Sequence, residues 1–241
     1  MNIAKRIEEK ISNIEKGKTF TYKDLTIKRE EYSATSKTIE RLIKREIIKR
    51  ISTGLFYKPK KTVFGELLPD NEEILKSYLF KGGKRIAYIT GTFLYNKLGL
   101  TTQIPQIIKI ASREKVIKIN KTNIKALPVK SYVEVTNRNY QYLEILDALK
   151  DFKKIPDLKI KNGLKILSEI LKKLKKGETK KIIKYSLKYP PRTRALLGAL
   201  LEANNIKENL DELQESLNPF TEYSLGIDKN ILPTTEKWKI K

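Results

Sequence analysis

Apolar positions at Ile3, Ile7, Ile11 and Ile14 recur every three or four residues, the spacing of one helix face, and predict a helix over 3–16. Gly17 stands where such a helix needs a left-handed stop. Thr21 with Asp24 three residues later has the form of a capping box, with Asp in place of Glu, and predicts a short helix through Leu25. A second stripe, Ile39, Leu42, Ile43 and Ile47, predicts a helix over 33–46. The runs 48–51 and 55–58 flank Ser52-Thr53-Gly54 and read as a β-hairpin that Pro59 ends.

From Thr62 the pattern changes. Helices are predicted at 71–80, before Gly82-Gly83, and at 92–98, before Gly99. Alternating, β-branched runs at 107–111, 115–119, 124–128 and 132–136 predict a small sheet. Apolar spacing then returns to the helical period over 140–152, 163–175, 179–187 and 192–203, and the segment 223–240 reads as a turn and a last short strand. The expectation is an α+β chain in two parts: a winged helix-turn-helix over 1–61, and over 62–241 a mixed domain with a small sheet and a C-terminal helical part. Pro59-Lys60-Lys61-Thr62 is the predicted connector.

Charge sharpens this picture. The 241 residues carry a formal net charge of +23, with no histidine and no cysteine. Without these side chains there is no disulfide framework, no thiolate zinc site, and no Ser-His or Cys-His nucleophile pair. No stretch reaches the roughly 18–20 apolar residues of a membrane span, and residues 1–8 lack the apolar core of a signal peptide, so a cytoplasmic protein is expected. Lysine dominates, at 41 against 10 arginines, as it does in chains from AT-rich genomes. Such a bias does not explain why only 28 residues are acidic, and a polyanion partner does. The excess lies in two blocks: 17 basic against 8 acidic side chains over 1–61, and 14 against 3 over 154–200.

In a helix-turn-helix the second helix offers its first turns to the major groove. Ser36, Lys37, Thr38, Arg41, Lys44 and Arg45 are therefore the candidate DNA contacts on the 33–46 helix, with Thr21 and Tyr22 before it. Lys49, Arg50, Thr53 and Tyr57 on the hairpin are candidates for phosphate or the minor groove. The competing explanation is a solvated amphipathic helix; the order of elements and the local charge favour DNA. In the second block, Lys173, Lys176, Lys180, Lys181, Arg192 and Arg194 are candidate partner-binding residues, for nucleic acid or an acidic protein. That block reads equally well as the solvated face of a helix whose buried stripe is Ile166, Leu167, Ile170, Leu171 and Leu174.

Signs of catalysis are few. There is no Walker loop, GxGxxG or GxSxG. Glu8-Glu9-Lys10 and Asp157-Leu158-Lys159 mimic half of a nuclease site, as chance produces in a lysine-rich chain. Gly82-Gly83-Lys84-Arg85 could cradle a phosphate or simply turn the chain. The expectation is a binding protein without catalytic residues, metal or cofactor.

Two stretches carry a resemblance. Ile48-Lys49-Arg50-Ile51-Ser52-Thr53-Gly54-Leu55-Phe56-Tyr57-Lys58-Pro59, followed by Thr90-Gly91-Thr92-Phe93-Leu94-Tyr95-Asn96-Lys97-Leu98-Gly99-Leu100-Thr101-Thr102-Gln103-Ile104-Pro105, of which 98–105 is the more specific part, resembles the AbiE-type abortive-infection antitoxins of bacterial type IV toxin–antitoxin systems. The resemblance implies that the winged-helix part represses the chain's own operon by binding operator DNA. It also implies that the C-terminal domain counters a nucleotidyltransferase-like toxin, with or without direct contact. Glu46 departs from the pattern, standing where a glycine is expected to close the helix. Two other readings stay open: a plain transcriptional regulator with an effector-binding domain, and an enzyme acting on nucleic acid through carboxylates and lysines in 62–200.

Overall fold

The computed structural model describes residues 2–63, 65–121, 124–175 and 177–241. They form two compact units, one built on 1–79 and the other on Phe80–Asn120 with Ile124–Lys241. The chain is α+β, with helices in both units and only small sheets. Among the described residues, no helix is long and apolar enough to cross a membrane.

The first unit runs α1 (Ile3–Ser12), β1 (Thr19–Thr21), a 3-10 turn (Arg29–Glu31), α2 (Tyr32–Lys44), β2 (Lys49–Ser52), β3 (Leu55–Tyr57), β4 (Lys60–Thr62), β5 (Gly65–Leu67) and α3 (Asn71–Leu79). An antiparallel sheet in the order β1-β3-β2 backs the helices. Ile7, Ile11, Phe20, Leu25, Ile39, Leu42, Ile48 and Phe56 close the core between them. Of the apolar stripes read from the sequence, Ile7 and Ile11 of α1 and Ile39 and Leu42 of α2 are buried, whereas Ile47 lies beyond the end of α2 and is 38% exposed.

Three predicted boundaries move, each for a local reason. The first helix stops at Ser12, because Gly17 donates its N–H to Lys58 O (2.7 Å) and Lys58 its own to Lys18 O (3.2 Å), which lays the chain beside β3. The short helix expected through Leu25 is a pair of turns, Asp24 N–H to Thr21 O and Thr26 N–H to Lys23 O, both 3.1 Å. Asp24 does accept from Thr21 N–H (2.7 Å) and from its hydroxyl (2.8 Å), but the motif caps a turn that Thr26 ends at φ +50°. The predicted connector after Pro59 is instead the first arm of the β4–β5 hairpin. Tyr57 donates its hydroxyl to Glu66 (2.7 Å), Lys49 pairs with Glu66 (2.8 Å), and Glu73 accepts from Thr19 N–H and Oγ1 (both 3.1 Å). These bonds, with Leu75 and Leu79 fully buried, carry the first unit to Leu79 rather than residue 61.

Helix α2 closes with Glu46 N–H on Ile43 O and Ile47 N–H on Leu42 O, both 3.0 Å, a Schellman motif with Glu46 in the left-handed position at φ +56°. The same motif ends two helices of the second unit on Gly99 and Asn205, residues suited to that conformation. Glu46 adds a negative charge at the negative end of the helix dipole. Glu46→Gly is expected to stabilise the first unit by about 1 kcal/mol, read as a higher urea midpoint. A variant no more stable than the parent would show that Glu46 is not strained.

The second unit runs β6 (Phe80–Lys81), β7 (Lys84–Arg85), β8 (Ala87–Thr90), α4 (Thr92–Lys97), β9 (Ile107–Ser112), β10 (Ile119–Lys121), β11 (Ile124–Lys130), α5 (Tyr140–Lys150), a 3-10 turn (Phe152–Lys154), α6 (Ile160–Lys172), α7 (Glu178–Ser186), α8 (Pro191–Ala203), α9 (Leu210–Glu215) and a 3-10 turn (Pro233–Thr235). Its sheet has the order β10-β11-β9-β8, antiparallel between β8 and β9 and parallel between β9 and β11. The strand expected over 132–136 does not form. Asn139 takes that stretch's backbone groups instead, accepting from Thr136 N–H and donating to Glu134 O, both at 2.8 Å. Of the run 115–119, only Ile119 enters a strand.

Helix α5 is the hub, buried without interruption from Tyr142 to Leu149. Facing α8, the last segment docks through Trp238, fully buried, with its indole N–H on Glu202 (2.6 Å). Gly198 makes room for that ring: a Cβ there would lie 2.1 Å from it.

Candidate nucleic-acid interface

The polar side of α2 carries Lys37, Arg41, Lys44 and Arg45, all exposed, with Ser36 half-buried. None of these four cations pairs with a described acidic residue. Between this side and the start of α1 lies a groove of about 770 Å³ lined by Ile3, Ala34, Lys37, Arg41 and Lys44. Arg50 and Thr53 are exposed on the adjoining β2–β3 hairpin. The structure therefore brings Lys37, Arg41 and Lys44 together on one groove and leaves Arg50 and Thr53 exposed on the hairpin.

The others have different work. Thr38 is buried rather than exposed: its hydroxyl donates to Ala34 O (2.9 Å) and accepts from the Arg41 guanidinium (3.3 Å). Tyr57 is buried against Glu66, and burial together with that carboxylate pushes its hydroxyl up to about 12. The reading of Thr38 and Tyr57 as direct contacts is corrected accordingly. Side chains three or four places apart share one face of α2, and Thr38 falls on the core side with Thr35 and Leu42. Lys49 is half-buried and tied to Glu66. Thr21 is committed to Asp24, and Tyr22 packs edge-on against Phe56, with ring centroids 5.6 Å apart. At the head of α2, Glu31 accepts from Lys28 N–H (2.9 Å) and pairs with Arg6 (2.6 Å). These two contacts hold its carboxyl below the usual range.

In the second unit, Lys173 follows α6, Lys180 and Lys181 lie on α7, and Arg192 opens α8; all four are exposed, whereas Arg194 is half-buried. Lys176 lies outside the described residues. Glu178, the only acidic residue of α7, accepts from Lys175 N–H (2.7 Å) and from Tyr142 (2.9 Å), and these bonds together with the charges of Lys175 and Lys181 hold its carboxyl below the usual range. Gly82 and Gly83 turn the β6–β7 hairpin, and Arg85 lies 3.9 Å from the Tyr140 ring centroid and 4.6 Å from that of Phe80. In the stretch 98–105 Leu100 and Thr101 are buried, while Thr102, Gln103 and Ile104 are exposed. Asn96 donates to Thr101 O (3.2 Å), the Thr101 hydroxyl accepts from Gln103 N–H (3.2 Å), and the Gln103 amide donates to Asp157 (2.9 Å).

One polar cluster has no counterpart in the sequence reading. Asp147, 2% exposed, accepts from Tyr88 (2.9 Å), Thr90 (2.6 Å) and Lys150 (3.0 Å). Tyr95 donates to the adjacent Asp151 (2.6 Å). Burial would lower the pKa of Lys150, but Asp147 and Asp151 outweigh it and hold the ammonium above the usual lysine value. Burial and Asp147 push the Tyr88 hydroxyl far above the phenol range. A carboxylate and a lysine three residues apart in a helix buried without interruption from Tyr142 to Leu149 was the available signal.

The fold is thus a two-unit α+β chain whose first unit displays, on a helix, cations without ion-pair partners among the described residues, with Arg50 of the β2–β3 hairpin exposed 5.7 Å from the Phe56 ring centroid. The chain belongs to a family of unknown function, DUF6088, which matches residues 6–182. No match is found among curated proteins. A solved structure, that of the RV2827C protein from Mycobacterium tuberculosis, is similar over 92% of this chain and 84% of its own, with a TM-score of 0.55 at 9% sequence identity. At that identity the likeness concerns the fold.

Proposed function

We propose that the first unit is a winged helix that binds double-stranded DNA. On this reading α2 is the recognition helix, the β2–β3 hairpin is the wing, and the first helix of the helix-turn-helix is reduced to the turns at 21–26. The observation that carries the proposal is the row Lys37, Arg41, Lys44 and Arg45, exposed and unpaired beside Arg50 and Thr53 of the hairpin. Lysines there act as point charges on phosphate, while Arg41 and Arg45 can also read guanine edges bidentately. The chain acts by binding and not by catalysis, in the cytoplasm, where its operator is. Together with the resemblance of 48–59 and 90–105 to AbiE-type antitoxins, this supports the reading of the chain as a repressor of its own operon. Its second unit counters a nucleotidyltransferase-like toxin, and the lysines around α7 are that unit's candidate surface.

Mobility shifts of the full chain on DNA from upstream of its own gene test the reading. Arg41→Ala with Lys44→Ala is expected to weaken binding and to flatten the log–log salt slope by about 0.9 for each phosphate left unneutralised. If Arg41 reads a base, its removal takes away about 1–3 kcal/mol of discrimination as well. Unchanged binding by the folded double variant rejects α2 as the reading helix. Co-expression with the product of the neighbouring gene tests the antitoxin half: an unrelieved toxic neighbour, or a harmless one, rejects it.

A further inference from the structure

The parallel strands β9 and β11 end side by side, with Ser112 in register with Lys130. In open α/β sheets ligands settle just beyond the carboxyl ends of parallel strands, and β9 and β11 of this sheet are such a parallel pair. Here the residues beyond those ends, Arg113 after β9 and Ser131 and Tyr132 after β11, enclose a cavity of about 480 Å³ with Lys130 and with Lys188 from the α7–α8 connection. That volume lies within the range of small-molecule sites, about 300–1,000 Å³.

The lining is cationic and organised. Arg113, Lys130 and Lys188 are all exposed, and none pairs with a described acidic residue. The Arg113 guanidinium donates to Tyr132 O (2.7 Å), which fixes it at the rim. The Tyr132 ring is backed by that of the buried Tyr189, with centroids 4.5 Å apart, yet Tyr132 stays 37% exposed. Lys150 lies 5.6 Å from the same ring but is neutralised by Asp147 and Asp151, so the net charge of the lining comes from the three unpaired cations.

We propose that this cavity binds a nucleoside monophosphate, its phosphate on Arg113, Lys130 and Lys188 and its base against Tyr132. A phosphate monoester carries about −1.5 to −2 charges, matched to a cluster of three cations. The cavity is larger than a phosphate needs, and a braced aromatic wall suits a flat ring, since base–aromatic stacking tolerates any base. A nucleic-acid backbone would favour an open groove with cations spaced along it; these converge on one cavity at a strand end.

Calorimetric titration of the full chain with AMP, GMP, CMP and UMP, and with adenosine and inorganic phosphate as comparators, decides it. At least one monophosphate is expected to bind at one site, more tightly than adenosine or phosphate. Lys130→Ala with Lys188→Ala should weaken that binding at least tenfold at an unchanged melting temperature. Tyr132→Ala should weaken it while Tyr132→Phe retains it. Because Arg113 also braces the loop, the exposed lysine pair is the deciding variant. No saturable binding by any monophosphate overturns the proposal, as does phosphate binding as tightly as the best nucleotide, or a double variant of full affinity. If no monophosphate binds, but a short DNA duplex binds the parent and loses affinity with the double variant, the cluster belongs to a nucleic-acid surface and the proposal falls.

Discussion

Replacing Gly198 by alanine is expected to release the last segment of the chain from the second unit. The added Cβ would meet three Trp238 ring atoms at 2.1, 2.2 and 2.5 Å, far inside van der Waals separation. The ring has no room to yield, being fully buried and held by Glu202, which also takes Lys237. The cheaper escape is for the indole to leave, at the cost of a buried aromatic, about 3–5 kcal/mol. Trp238 is the one tryptophan in the chain, so its fluorescence reports on this segment alone. A red-shifted emission in native buffer and a lowered urea midpoint are expected. Adding Trp238→Leu should make the alanine far less harmful, because the clash is gone. Blue-shifted emission and an unchanged midpoint in Gly198→Ala would disprove this packing.

Lys150→Ala is the second large effect. It leaves Asp147, 2% exposed, on the neutral hydroxyls of Tyr88 and Thr90. Removing one partner of a buried ion pair costs about 3–5 kcal/mol, because the remaining charge stays desolvated. Replacing both partners, Asp147→Asn with Lys150→Met, should cost less than the sum of the two single changes, the signature of a direct interaction. In the folded chain the pKa of Lys150 is raised above the ordinary lysine value of 10.5. Its contribution is therefore complete below about 10.4 and fades as pH rises through the folded value. The gap between parent and Lys150→Ala should accordingly narrow in strong alkali. A variant within about 1 kcal/mol of the parent at neutral pH would show that water, not Lys150, satisfies Asp147.

What could be read in advance follows from where the physics is local. The buried faces of α1 and α2 came from a spacing rule that burial enforces, and Ile7, Ile11, Ile39 and Leu42 obey it. Thr38 and Tyr57 were misplaced because a polar side chain does not announce whether it faces water or an internal partner. The position of Glu66 near Tyr57 is a tertiary fact. The strand expected over 132–136 failed for a comparable reason: the run had the composition, but Asn139 competed for its backbone. The parallel pairing of β9 with β11, and with it the cavity at their ends, had no signal in hydrophobic pattern at all.

The tether between Thr38 and Arg41 bears on how much α2 can discriminate. Most cations of the chain are lysines, whose flexible stems must be ordered anew whenever they grip an anion. The guanidinium of Arg41 is instead held by a threonine hydroxyl that is itself anchored on the turn below. Whatever meets this helix finds one arginine already aimed among mobile neighbours. If α2 reads DNA as proposed, selectivity resides in a side chain whose stiffness is set from inside the protein, by a residue that does not itself touch the DNA.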